Sequence, residues 1–491
     1  MKTLLIKTSK HLVIATVYAT LGVVITALGF GIWFLNSRAD LAPWHTKVLE
    51  HRFTHQSPDA SFSDYLAREK RLKAEIAAVA DGFASAAPDG SSPVNRYERG
   101  SLSDPSRWRQ DWNWSYEWRN DNAKYGVLFI HGMSDSPYAL SNLALDFKAD
   151  AHILGLRLPG HGTVPSGLVT LQWQDMSAAV SLAVRHLKSR LGKRPLYIVG
   201  FSTGAGLALH HELERIKAGE IPDSHAMVFL SPAIGLAPVA RGAYWQARLG
   251  EWLGLEKLAW NALGMEYDPF KYMSFAVNAG DVVYRLAQIN QRLLSSLSDA
   301  QKALLPAMLT FQSMADDTVS SRAVIESLYL KLNDARHELV LFDVNRSPVN
   351  QRLTLRDPRN ELQPLYSSPA IKARVGLVQN QQSDDGSYSL LVEWQPVNPA
   401  GEAVPLNRSW PENVYSLSHV ALPFPKSDSL YGLGLSTHKD RIQIGAAASR
   451  GERGIYAVSA DEMLRQKWNP FYDFQLARIK ALFDSSAAEA E

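Results

Sequence analysis

The chain has 491 residues, 46% of them hydrophobic, 20% charged and 10% aromatic, enough to bury a large core in one big domain or two. The formal net charge is only +2 and no long basic stretch is interleaved with aromatics, so the electrostatic footprint of a nucleic-acid-binding protein is missing. Cysteine is absent, which excludes disulfides, thiolate catalysis and cysteine-ligated zinc.

Residues 12–35 form 24 uncharged, mostly apolar positions, long enough to cross a hydrocarbon core as a helix. Lys2, Lys7 and Lys10 precede this run, and Arg38 and Asp40 follow it. The positive-inside rule then favours a cytoplasmic N-terminus and an exported body. The expected address is a bacterial inner membrane, with a single pass through residues 1–38 and the rest of the chain extracytoplasmic. A cleaved signal peptide is the competing reading; the run exceeds the usual apolar core of a signal, and "NSRAD" is a poor small-residue cleavage site.

Residues 39–123 read as a juxtamembrane segment, partly helical: 63–84 has helical spacing of Leu, Ile and Val, and "AAPDGSSPVN" follows as a loop. Trp108, Trp112, Trp114 and Trp118 lie close together. They suit either a membrane-surface or substrate-contacting patch or early strands packed on the core.

From residue 124 onward, short β-rich apolar runs (125–132, 152–162, 194–202, 225–232, 303–313 and 337–344) alternate with helical patterns at 138–148, 173–191, 206–219 and 321–333. Such alternation predicts an α/β fold, a mostly parallel sheet with helices on both faces. The core is expected over 124–234, 303–345 and 413–491. Residues 235–302 read as a helical lid, and the polar stretch 346–412, with one β-like piece "SYSLLVEW", reads as an insertion.

"GFSTG" falls where the third clear strand of the alternating region ends and a helix begins. This is the context of a G-x-S-x-G elbow, which makes Ser202 a candidate nucleophile. Gly200 and Gly204 would relieve steric crowding at that turn. The glycine spacing fits neither dinucleotide nor P-loop phosphate binding.

A serine needs a histidine to take its proton, and the histidine needs a carboxylate to hold its tautomer. Asp316 and Asp317 lie just past an apolar strand and just before a helix. Asp316 fits the pattern of Asp followed by two residues and Val, which leaves Asp317 as a cap for the next helix. His419, 103 residues beyond Asp316, is the candidate base, with His438 and His337 as rivals. His210 and His211 lack zinc-site spacing and read as packing residues. The oxyanion donors are expected to be the backbone N–H groups of Thr203 and Met133, with Gly132 shaping the turn and His131 in a structural role. No metal or cofactor is expected.

The segments "FIHGMSDSPYALSNLA", "LRLPGHGTVPSGLVTLQWQDM", "VGFSTGAG", "SMADDTV" and "LSHVALP" resemble, in order, the α/β-hydrolase superfamily, most nearly bacterial monoacylglycerol lipases and carboxylesterases. That resemblance implies the α/β-hydrolase fold and esterase chemistry on a small-molecule ester or lipid: Ser202 attacks the acyl carbonyl, His419 moves the proton, Asp316 orients it, and water releases the acyl-enzyme. The chain departs from the family at Thr203, at Ala205 and in the long insertion. The same triad would also serve an acyltransferase or a serine aminopeptidase-like hydrolase, and the fold alone would serve a non-catalytic binding protein.

Overall fold

The computed structural model describes residues 2–57, 61–85, 94–235, 254–382, 388–395, 403–433, 440–447, 465 and 467–488. The N-terminal helix α1 (Lys2–Asn36) contains a stretch, Val13–Asn36, long and apolar enough to cross a membrane and with none of it buried against the body. Just past its end the chain is tied down. Arg38 donates to the carbonyls of Lys257 and Asn261, and Lys257 Nζ lies 2.8 Å from Asp40.

The strands are β1 (Tyr116–Trp118), β2 (Tyr125–Ile130), β3 (Ala151–Leu156), β4 (Leu196–Phe201), β5 (Ala226–Leu230), β6 (Trp260–Ala262), β7 (Phe275–Ala276), β8 (Ala307–Ser313), β9 (Glu338–Phe342), β10 (Arg374–Gln382), β11 (Tyr388–Gln395) and β12 (Ala403–Pro405). Ten of them form one sheet in the order β1-β3-β2-β4-β5-β8-β9-β10-β11-β12, parallel from β3 through β10 and antiparallel at both edges. The central strands β2, β3, β4, β5 and β8 are buried along their whole length and mostly apolar because both faces are covered. Leu128, Leu154, Ile198 and Met227 enter the core on one side, and Val127, Ile153, Tyr197 and Val228 the core on the other.

One face is covered by α2 (Phe62–Ser85), α3 (Trp173–Leu191), α4 (Thr203–Lys217) and α5 (Val277–Ser296), the other by the short helix Ser141–Phe147 and α6 (Tyr472–Ala488). This is the α/β-hydrolase fold, a mostly parallel sheet sandwiched between helices.

Three regions differ from the sequence expectation. Residues 39–123 join the core: Phe62 and Tyr65 of α2 are buried in it, and β1 pairs with β3 as an edge strand. Trp108 and Trp112 are core residues, Trp108 edge-on to Phe270 and Trp112 edge-on to Tyr138. Residues 346–412 carry β10, β11 and β12, which extend the central sheet beyond β9. Within 235–302, residues 236–253 lie outside the described residues; the remainder holds the β6–β7 ribbon and α5, which packs on α4 in the helical layer.

Candidate active site

β4 ends at Phe201 and α4 begins at Thr203, so Ser202 alone makes the turn, at φ 53° and ψ −113°. A residue with a Cβ rarely adopts this backbone, and it costs about 1–3 kcal/mol unless its surroundings enforce it. They do. The Ser202 N–H donates to Leu230 O on β5, and the Ser202 carbonyl accepts from Gly206 and Ala233. A Cβ on Gly204 would stand 2.0 Å from Ile130 O, and one on Gly200 would stand 2.5 Å from the backbone of Ala205. The two glycines thus let β4, α4 and the end of β2 close on one another. A Cβ on Gly132 would meet Ser202 Cβ at 3.1 Å, so the loop after β2 runs directly beside the serine.

Asp316 follows β8 and His419 opens a single 3₁₀ turn, His419–Ala421, with no strand before it. The two side chains meet across 103 positions: His419 Nδ1 donates to Asp316 Oδ2 at 2.8 Å, with both side chains buried. Ser313 Oγ, at the end of β8, donates to Leu417 O and pins the histidine loop to the strand that carries the acid. Asp316 Oδ1 accepts from the N–H groups of Thr318 and Val319, and Gln312 Nε2 donates to Oδ2. Burial pushes this carboxyl up, but His419 and the two amides outweigh it and hold Asp316 below the usual carboxylate range. With Nδ1 committed as donor to Asp316, the other ring nitrogen of His419 is left to accept a proton. The ring lies tilted at 34° to that of Phe201, the neighbour of Ser202, with centroids 5.2 Å apart.

Asp317 takes a different course. Its side chain is 91% exposed and faces Arg465, and the cap of the next helix is Ser320, whose hydroxyl accepts from the Ala323 N–H. The capping role expected for Asp317 therefore falls to Ser320. His337 sits at the opposite end of the sheet, with Nδ1 accepting from the Met308 N–H; His438 lies outside the described residues. His210 bonds Asn290 and His211 bonds Asp223, both in packing roles.

Met133 is buried in the loop beside Ser202, and Thr203 opens α4. Among the described residues, neither backbone N–H donates to a protein acceptor. His131 braces this loop: Nδ1 donates to Gly132 O, and Nε2 accepts from the Leu158 N–H. Burial, with His161 alongside, pushes His131 well below its ordinary pKa, so it stays neutral.

Two features carried no sequence signal. Lys271 Nζ bonds Ser134 Oγ at 3.0 Å and Asp135 Oδ1 at 2.5 Å, while the Tyr272 N–H donates to Ser134 O, strapping the loop after Met133. Arg157, after β3, is buried with Glu69 of α2 at 2.6 Å, and Arg157 Nη1 holds His161 O. A cavity of about 240 Å³ opens between Phe201, Ser134 and Val420, the chain neighbours of Ser202, Met133 and His419. A larger one, about 1060 Å³, lies between residues 41–56 and the loops around 166–175, and none of the candidate catalytic residues lines it. Among the described residues no group of three or more His, Asp or Glu is placed to hold a metal ion.

Residues 127–348 match the alpha/beta hydrolase family. Solved structures similar to the chain include a metagenome-derived lipolytic enzyme from a study of LipS and LipT (19% identity, 48% of this chain and 88% of that one, TM-score 0.38) and a Paleococcus ferrophilus monoacylglycerol lipase (13%, 47% and 88%, 0.36). A soluble variant of monoglyceride lipase from Saccharomyces cerevisiae is another (14%, 46% and 81%, 0.36). No curated protein matches the sequence. It is residues 127–348, the stretch that runs from β2 through β9 and carries Ser202, that match the alpha/beta hydrolase family model.

Proposed function

We propose that the protein is a membrane-anchored serine hydrolase that cleaves carboxylic esters through Ser202, His419 and Asp316. The observation that carries this reading is the 2.8 Å bond from His419 Nδ1 to Asp316, made with the imidazole against Phe201, the residue before a serine held at φ 53° on a strand-to-helix turn. His419 takes the Ser202 proton as Oγ attacks the acyl carbonyl, and Asp316 steadies the imidazolium that forms. The N–H groups of Thr203 and Met133 receive the developing oxyanion. His419 then passes its proton to the departing alcohol, leaving an acyl-enzyme, and activates the water that hydrolyses it. The family match across 127–348 and the lipases and esterases among the similar structures agree with ester chemistry. Anchoring rests on the apolar stretch Val13–Asn36, with the lysines before it favouring a cytoplasmic N-terminus. A fluorophosphonate probe on the folded, full-length protein tests the chemistry. An adduct on Ser202 that is lost in His419→Ala is expected; no adduct would refute the reading.

A further inference from the structure

We propose that the pocket beside Ser202 binds an anionic group of the ester substrate, a carboxylate or a phosphate, through Lys271 and Arg465. The inference deepens the ester-hydrolase reading and rests on it for the identity of the reacting atoms. The cavity has a volume of about 240 Å³. At roughly 30 Å³ for each water-sized group it holds about eight non-hydrogen atoms, a short substituent and not a long acyl chain. Phe201, Ser134 and Val420 in its wall are each one residue from the proposed nucleophile, oxyanion loop and base, so on the ester-hydrolase reading a short substituent of the ester reaches it.

Its wall holds six aromatic rings, yet it also carries three cations, Lys271, Arg465 and Lys467, against two carboxylates, Asp135 and Asp268. Both carboxylates are already engaged. Asp135 accepts from Lys271, and Asp268 is fully buried, accepting from the N–H groups of Phe270 and Lys271 and from the Tyr431 hydroxyl. Lys271 gives two of its three N–H bonds to Ser134 and Asp135 and retains one. Arg465 gives Nη2 to Thr318 Oγ1 and lies 3.9 Å from the exposed Asp317 carboxylate, and its Nε and Nη1 groups make no bond to another described residue. Spare donors from two cations therefore border a small, partly desolvated space, where a charge-assisted bond to an anion is far stronger than in water. A neutral substituent in the same space leaves those donors unmatched.

The test uses the full-length protein in detergent and two matched pairs of esters. 4-Nitrophenyl hydrogen succinate against 4-nitrophenyl methyl succinate places the anion on the acyl side. Butyryl glycerol phosphate against monobutyrin places it on the alcohol side. In at least one pair kcat/KM is expected to favour the anionic ester by about tenfold or more, and Lys271→Met and Arg465→Met are each expected to reduce that ratio by about tenfold. Retention of part of the preference in Arg465→Lys is expected from the surviving charge. Neutral esters preferred in both pairs, or a preference that neither variant alters, would overturn the inference. Calorimetric binding of monomethyl succinate and of glycerol phosphate to Ser202→Ala reads the pocket without turnover. Binding that Arg465→Met weakens supports the anion site even where the fluorophosphonate adduct is absent, and no binding of either anion counts against it.

Discussion

Replacing Glu69 with Ala should destabilise the whole domain, although Glu69 lies in the segment that joins the N-terminal helix to the core. Glu69 and Arg157 are 2.6 Å apart, and their side chains are 6% and 2% exposed. Burial raises the Glu69 carboxyl against the opposing pull of Arg157 and two bonds from Ser115. With an effective dielectric of about 20, two charges about 4 Å apart attract by on the order of 4 kcal/mol. Removing one partner of a buried pair costs about 3–5 kcal/mol, because the other charge stays buried without compensation. Arg157 retains only the carbonyls of Leu158 and His161 as acceptors. Urea unfolding of the full-length protein, followed by tryptophan fluorescence, should show that loss as a lower midpoint at unchanged slope. The double variant Glu69→Leu with Arg157→Met should recover most of it, since a packed apolar pair has no desolvation penalty. A loss below about 1 kcal/mol in Glu69→Ala would refute the reasoning, because a cost that small belongs to a solvated surface pair.

The two neighbouring aspartates should separate cleanly: Asp316→Ala lowers kcat by about 10⁴-fold, while the exposed Asp317→Ala stays within about twofold, read as ester turnover per fluorophosphonate-titrated site. Gly204→Ala should cost about 3 kcal/mol or more in unfolding free energy, since its methyl would press on Ile130 O; a thermal midpoint equal to the parent's would refute the packing argument. His45 and His337 are held down to about 4 by burial and His161 to about 3. Below the unfolded value near 6.5 these three rings leave the unfolded chain binding more protons than the folded one, by up to about 1.4 kcal/mol per unit for each ring, while Glu266, pushed up to about 7 by burial, offsets one ring's share, so stability should still fall as pH drops from about 6.5 towards 4. Urea midpoints that stay flat between pH 7.5 and 5 would contradict that sign. Deleting residues 2–36 should move the protein from the membrane to the soluble fraction on cell fractionation.

What could be read from the sequence depended on where the physical signal resides. The central strands were legible because burial on both faces makes them continuous apolar runs, and Ser202 because a close-packed strand-to-helix turn demands glycine on either side of it. The edge of the sheet was not. β10 ends in "QNQQ", and β11 and β12 follow in polar surroundings, so the apolar pattern fades where one face meets solvent and the stretch reads as an insertion. Ion pairs divide along the same line. Asp316 and His419 lie 103 residues apart, yet their pairing was legible because the order of nucleophile, acid and base along the chain restricts the choices. Glu69 and Arg157 lie 88 residues apart with no such rule to join them. In an amphipathic helix a glutamate looks solvated, and only the docking of α2 beside the Arg157 loop brings it into the interior. The same holds for Lys271, which reaches Asp135 across 136 residues. Chemistry shared by a superfamily is therefore written in local motifs, while the contacts that would distinguish this chain, the brace from α2 and the charged pocket wall, exist only once distant segments have packed.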